Sequence, residues 1–315
     1  MKVTVLDDYQ RVALSSADWS SVATRAEISV VDRHLDGEAL VDALADSEVI
    51  VLMRERTAVP STLLDRLPAL RLIVTTGPFN AAVDVGAAVQ RGIVVCGTGG
   101  DVQPTVELTW ALILGLARSV AAEDTALRAG GWQTEVGTGL SGKTLGIVGL
   151  GRIGRGVARI ASAFSMETVA WSQNLDPEEA AARGVKPVSK TELFASSDVV
   201  SIHLVLSERS RGLIGRAELE TMRPTGLLVN TSRGPIVDEE ALVDALTQGR
   251  LAGAALDVYD TEPLPADSPL RRAPRTLLTP HIGYVTRELY SRFYREVVED
   301  VTAYWDGSPI RVIEP

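Results

Sequence analysis

Thr144-Leu145-Gly146-Ile147-Val148-Gly149-Leu150-Gly151-Arg152-Ile153-Gly154 reads as an apolar strand, a glycine turn and the opening of a helix. A lone G-x-G-x-x-G is a weak signal, but here it follows a strand directly and opens the helical run 153–164. Gly149 permits the tight turn, Gly151 lets backbone approach a pyrophosphate, and Gly154 lets helix and strand pack closely. The helix start, with Arg152 and Ile153, offers unpaired N–H groups and a positive dipole end to phosphates. The pattern is that of a dinucleotide site. About 20 residues on, such sites carry an acid for the ribose hydroxyls. Here the next strand ends in Ala170-Trp171 and is followed by Ser172-Gln173-Asn174. Losing the acid removes the repulsion that excludes a 2′-phosphate, yet the turn supplies no Lys or Arg to bind one. NAD against NADP is left open.

Outward from this stretch the same alternation continues both ways. Strand candidates lie at 3–6, 28–31, 49–52, 72–75 and 93–95, then at 144–148, 168–170, 199–202, 227–230, 254–256 and 276–278. Continuous apolar strands between helices imply parallel sheets covered on both faces. The pattern occurs twice, so the expected class is α/β with two doubly wound parallel-sheet domains, the second a Rossmann domain inserted into the first. Gly97-Thr98-Gly99-Gly100 marks the break, and Pro104 opens a helix expected to run to Arg128. A final helix, 286–305, sets Leu289, Phe293, Val297, Val301 and Tyr304 on one stripe. Returning that stripe to the first unit makes residues 1–100 and 284–315 a discontinuous, flavodoxin-like domain around 101–283. Two crossings make a natural hinge.

The 315 residues suit two domains of about 150 each. A 45% hydrophobic and 23% charged composition is globular rather than disordered. With 31 Lys and Arg against 41 Asp and Glu, the charge of −10 argues against nucleic acid as a partner. One cysteine, Cys96, excludes an internal disulfide and a cysteine metal cluster, and Ile93-Val94-Val95 before it marks it as buried. No metal is expected. The N-terminus lacks the apolar core of a secretory signal, and the longest apolar stretch falls short of the ~20 residues that span a bilayer. No membrane partner and a cytoplasmic location are therefore expected.

Three histidines, His34, His203 and His281, make a short list of general acids near neutral pH. His281, in Thr279-Pro280-His281-Ile282-Gly283, lies just past a strand end, where open α/β sheets place ligands. His203 is expected on the cofactor side and His34 at the surface. Two further loops leave strand ends in the same half: Asn230-Thr231-Ser232-Arg233-Gly234 and Asp257-Val258-Tyr259-Asp260-Thr261-Glu262-Pro263. Arg is shaped to hold a carboxylate through two parallel bonds. A Glu beside a His fixes its tautomer and stabilises imidazolium. Singly, Arg233 reads as well as a surface charge, and Glu262 as a solvated loop acid.

Together the glycine turn, Asn230-Thr231-Ser232-Arg233-Gly234, Leu256-Asp257-Val258 with Glu262-Pro263, and Pro280-His281-Ile282-Gly283 resemble the D-isomer-specific 2-hydroxy acid dehydrogenases. That family includes glycerate, phosphoglycerate and hydroxypyruvate enzymes, and the resemblance covers essentially the whole chain. It implies hydride transfer between NAD or NADP and a 2-keto or D-2-hydroxy acid. Arg233 would hold the substrate carboxylate and polarise the keto oxygen. His281 would give that oxygen a proton in reduction and take it back in oxidation, with Glu262 keeping its acid form available. Ser172, Gln173, His203, Thr231, Asp257 and Gly283 would join the glycine turn on the cofactor side, Asp257 at the position that meets the nicotinamide carboxamide. Arg54 and the loop Thr75-Thr76-Gly77-Pro78-Phe79-Asn80 would meet the substrate, with Gly77 and Phe79 as N–H donors because Pro78 has none. The helix at 104–128, with Glu107 near its start, resembles the family's hinge and dimerisation helix and implies a homodimer.

Some positions depart from the family pattern. Ser172 replaces the usual acid, Val205 stands where many members have Pro, and Phe79 stands where relatives carry a polar or basic residue. Phe79 makes the pocket more apolar. Arg54, Phe79, Trp132 and Tyr284 are the residues expected to choose the keto acid. The chain ends at Pro315 without the C-terminal extension of long phosphoglycerate dehydrogenases, an expectation against serine-feedback control. An alternative is a dinucleotide-sensing corepressor-like binding protein, since such corepressors share the fold and retain the Arg–Glu–His set. The lack of long disordered tails weighs against it. Formate dehydrogenases carry Gln in place of Glu262.

Overall fold

The computed structural model describes residues 1–315. The chain forms two compact units, Met1–Asp101 with Val285–Pro315, and Val102–Tyr284.

In the first unit, β1 (Lys2–Val5), β2 (Glu27–Val30), β3 (Val49–Leu52), β4 (Leu72–Thr75) and β5 (Val94–Gly97) form one sheet in the order β2-β1-β3-β4-β5. Every pairing is parallel. Side chains alternate across a strand, so Ile50, Leu52, Ile73 and Val95 share one core layer while Val49, Val51, Leu72 and Val74 are buried on the other face. The helix Arg287–Trp305 starts where the Thr286 side chain accepts the Leu289 N–H, and it buries Leu289, Phe293, Val297 and Val301. Tyr304, at the end of that stripe, is only half-buried. Beyond it the chain turns at Arg311, φ 51°, and bonds back to Val95 and Gly97 of β5. The tail thereby covers a strand edge that would otherwise stay unpaired.

The second unit carries β6 (Thr144–Val148), β7 (Glu167–Trp171), β8 (Lys186–Pro187), β9 (Val199–Ile202), β10 (Leu227–Asn230), β11 (Gly253–Leu256) and β12 (Thr276–Leu278). Their order is β12-β11-β10-β9-β6-β7-β8. Val148, Val200, Leu228 and Ala254 enter one core, and Ile147, Val199, Val229 and Ala255 the other, so both faces are packed. The order reverses between β6 and β9, and ligands of such sheets lie beyond the strands' carboxyl ends at that point. The two-residue edge strand β8 was not expected. It is too short to leave a periodic pattern.

The helix expected across 104–128 is two helices, Gln103–Ala117 and Val120–Arg128, bent by 60°. Ser119 between them takes φ 51°, and the Ala117 carbonyl accepts the Thr138 N–H at 2.6 Å. Both pieces favour helix, so side-chain periodicity carried no mark of the break. No single helix is long and apolar enough to cross a membrane. Cys96 is buried, which pushes its thiol up to about 12.

Candidate active site

Strand pairing sets where the glycine turn begins. Val148 of β6 lies opposite Trp171 of β7, and the Gly149 N–H donates to the Trp171 carbonyl at 2.9 Å. Gly149 takes φ +100°, and a Cβ there would lie 2.8 Å from the His203 carbonyl oxygen. A Cβ on Gly154 would lie 2.2 Å from the Gly149 carbonyl oxygen, whereas one on Gly151 would meet nothing within 4 Å. The turn is closed beneath and open above. The helix Arg152–Ala161 starts there with exposed Arg152 and half-buried Ile153. Its first N–H groups lack helical acceptors, so the residues present fit a pyrophosphate. The His203 ring turns inward: Nε2 bonds Ser201 Oγ at 2.9 Å, and burial drops its pKa to about 3. It is neutral near pH 7, and its carbonyl rather than its ring meets the turn.

Asn230 folds the loop after β10. Its amide nitrogen donates to the Arg233 carbonyl at 3.0 Å, and its amide oxygen accepts the Ser232 N–H at 3.0 Å. Ser232 Oγ donates to the Leu204 carbonyl, and Thr231 Oγ1 lies 2.8 Å from Thr109 Oγ1. Arg233 is half-buried, with a guanidinium nitrogen donating to the Ser232 carbonyl at 2.8 Å. Gly234 brings this loop against the next one, because a Cβ there would lie 2.0 Å from the Tyr259 carbonyl carbon. In that next loop, after β11, the Tyr259 N–H donates to Glu262 Oε1 at 2.9 Å.

The loop after β12 is held by Asp257, which is 1% exposed. Its Oδ1 accepts from Thr279 Oγ1 at 2.6 Å and the Ile282 N–H at 2.8 Å, and its Oδ2 accepts the Gly283 N–H at 2.9 Å. Burial lifts the Asp257 carboxyl above its ordinary value despite these bonds. Tyr259 OH reaches the Thr279 carbonyl at 2.9 Å, and Thr105 Oγ1 donates to the Gly283 carbonyl at 3.1 Å. Inside this clamp His281 takes φ 52°, uncommon for a residue with a Cβ. Its ring stands edge-on to Tyr284, centroids 5.5 Å apart, and its Nδ1 lies 2.5 Å from Glu262 Oε2. Burial opposes ionisation of Glu262, but the hydrogen bond and charge of His281, the Tyr259 N–H and Arg233 outweigh it and hold the carboxyl below its ordinary value. A carboxylate on Nδ1 assigns the proton there, leaving Nε2 for a ligand.

The structure thus brings Arg233, Glu262 and His281 together with Asp257, Gly283, Thr231 and Tyr284. Sequence reading missed the clamp formed by Asn230, Gly234, Tyr259 and Thr279. All four stand in the strand-end motifs quoted around Arg233, Glu262 and His281, but their tasks depend on which loops pack together. Asp257, expected to meet a nicotinamide carboxamide, turns both carboxylate oxygens to the His281 loop. In the first unit, Arg54 (φ 53°) donates to the Thr76 carbonyl at 3.2 Å. A Cβ on Gly77 would lie 1.5 Å from the Arg54 guanidinium, so glycine makes room for it. The expected Gly77 donor is corrected: its N–H already donates to Thr98 Oγ1 at 2.7 Å, a residue past β5 that sequence cannot place beside it. Pro78 adds no donor, and Phe79 is 50% exposed. Trp132 is 76% exposed after the helix Val120–Arg128. His34, expected at the surface, is half-buried, with Nδ1 3.7 Å from buried Asp7.

Comparison with known proteins follows the same lines. Residues 110–283 match the family of the D-isomer specific 2-hydroxyacid dehydrogenase, NAD binding domain. The chain is 37% identical to D-3-phosphoglycerate dehydrogenase of Archaeoglobus fulgidus over 89% of its own length, and it spans 54% of that longer relative. It is 40% identical to glyoxylate reductase of Aeropyrum pernix, covering 78% of this chain and 76% of that one. The crystal structure of a phosphoglycerate oxidoreductase from Vibrio cholerae superposes with a TM-score of 0.93 at 35% identity, covering 98% of this chain and 100% of that one.

Proposed function

This chain belongs to the D-isomer specific 2-hydroxyacid dehydrogenase family, and from that premise we propose that it transfers hydride between a nicotinamide dinucleotide and a 2-keto or D-2-hydroxy acid. The observation that carries this reading is the 2.5 Å contact between His281 Nδ1 and Glu262 Oε2, in the unit that also holds the glycine turn. The second unit is read as the dinucleotide domain and the first as the substrate domain. Gly149, Gly151, Arg152, Ile153 and Gly154 would hold the pyrophosphate, and Ser172, Gln173, Thr231 and Gly283 would line the remainder. When bound, the nicotinamide supplies a hydride to substrate C2 or accepts one from it.

The chain's residues do the rest. Arg233 binds the carboxylate and draws electron density from the keto oxygen. His281, its Nδ1–H directed at Glu262, presents a protonated Nε2 to that oxygen. In reduction the carbon gains the hydride, the oxygen takes the Nε2 proton, and His281 is left neutral; oxidation runs the same steps backwards. Glu262 stabilises the imidazolium, and Asp257 positions the His281 loop. Arg54 and the Phe79 N–H are read as the substrate contacts of the first unit.

A homodimer is part of this reading. The helix Val120–Arg128 buries none of its residues, and Leu127, Trp132 and Val136 nearby are 57%, 76% and 98% exposed, an apolar surface suited to a second copy. Light scattering should then report twice the 33.6 kDa chain mass. The activity is tested by offering a panel of 2-keto acids with NADH and NADPH and following cofactor absorbance. Turnover lost in Arg233→Ala supports the reading, and no turnover on any acid overturns it.

A further inference from the structure

We propose that this chain accepts NADP(H) about as readily as NAD(H), and that Ser172 is the residue that permits it; this rests on the dinucleotide reading above. The registration of β6 and β7 fixes the geometry. Val148 pairs with Trp171, and the Gly149 N–H bonds the Trp171 carbonyl, so the glycine turn and Ser172 leave the sheet side by side. A pyrophosphate on the turn puts the adenosine ribose over the end of β7, at Ser172-Gln173-Asn174. An acid there would take both ribose hydroxyls and repel a 2′-phosphate. Ser172 does neither.

Neighbouring acids do not restore the repulsion. Asp176 turns to its own helix, where Oδ1 accepts the Glu178 and Glu179 N–H groups at 2.9 and 3.2 Å. Glu179 is paired with Arg155 at 2.7 Å and Arg183 at 2.9 Å. Glu218 is paired with Lys190 at 2.8 Å, whose amine lies 6.0 Å from the Trp171 ring centroid. Arg152 is exposed at the helix start and has no carboxylate partner. With Arg152, Arg155, Arg183 and Lys190 set against Asp176, Glu178, Glu179 and Glu218, a 2′-phosphate would meet a surface of no net charge. The turn itself brings no cation, so the outcome is tolerance of both cofactors rather than preference for the phosphorylated one.

Binding tests this without turnover. Quenching of tryptophan fluorescence should give NADH and NADPH dissociation constants within about fivefold of each other. Calorimetry should show adenosine 2′,5′-bisphosphate binding at least as tightly as adenosine 5′-monophosphate. Ser172→Asp should raise the ratio of the NADPH to the NADH dissociation constant about 100-fold, through like-charge repulsion of the 2′-phosphate. Exposed Gln173→Asp, which places the same charge one residue on, serves if Ser172→Asp misfolds. NADPH binding more than about fivefold weaker than NADH in the unaltered protein, or an acid that leaves the ratio unchanged, overturns the inference. Failure to bind either dinucleotide overturns the dehydrogenase reading instead.

Discussion

The glycine turn and the Arg233–Glu262–His281 set lie in one unit but are built by opposite means. The turn is local and works by missing side chains: Gly149 and Gly154 remove collisions beneath it, and Gly151 leaves open space above. The proposed catalytic set is distributed over three loops and depends on contacts that are remote in sequence. Gly234 lets two loop backbones meet, Asp257 ties the His281 loop to the end of β11, and Tyr259 bonds both Glu262 and the Thr279 carbonyl. A local device can be read from spacing alone. A distributed one shows its functional tips and hides its frame.

Mutations should separate the two. His281→Ala is expected to lower turnover by about 10³ to 10⁴-fold while dinucleotide affinity stays within about twofold, measured by kinetics and by fluorescence titration. Gly234→Ala should cost about 100-fold in turnover with dinucleotide binding retained, because its Cβ would strike the Tyr259 carbonyl and move the Glu262 loop. Near-normal turnover there would mean that the two loops need not touch.

The turn should respond the other way. Gly151→Ala is expected to weaken dinucleotide binding about tenfold at unchanged thermal stability, since its Cβ occupies only open space. Gly154→Ala should instead lower the melting temperature by several degrees, because its Cβ lies 2.2 Å from the Gly149 carbonyl oxygen.

The smallest effect lies outside both regions. Burial pushes the Asp300 carboxyl up to about 7, although Arg311 opposes the rise, while Glu296 and Glu299 add to it. The folded chain therefore binds this proton more tightly than the unfolded one. The contribution to stability is full below the ordinary value of 3.8 and is lost as pH rises through about 7. Between pH 5 and pH 8 the melting temperature should fall by a few degrees, and Asp300→Asn should flatten that slope.

Much of the fold was legible because burial on both faces leaves a plain mark. Val49–Leu52 is apolar at every position, and its ends, like those of Val199–Ile202, agree with the sequence reading. The bend at Ser119 was hidden because the residue that takes the left-handed φ of 51° is a serine, with no glycine there to mark it. Likewise, the N–H of Gly77 counted as a substrate donor until Thr98, far along the chain, proved to accept it. In the candidate site, Arg233, Glu262 and His281 could be named from residue type and strand-end position. That Asn230 and Asp257 hold their loops could not, because a buried amide or carboxylate reveals its partners only once the strands are placed side by side.

On the proposed function, Arg233, Glu262 and His281 act as one unit on a 2-keto acid. The most direct test is reduction with nicotinamide deuterated at the transferring position, with the product analysed for deuterium and for chirality. The expected product is D-2-hydroxy acid carrying deuterium at C2, formed by the unaltered protein and at a rate lower by at least about 10³-fold in His281→Ala. An L-product, a product without deuterium, or equal rates from both proteins would contradict it.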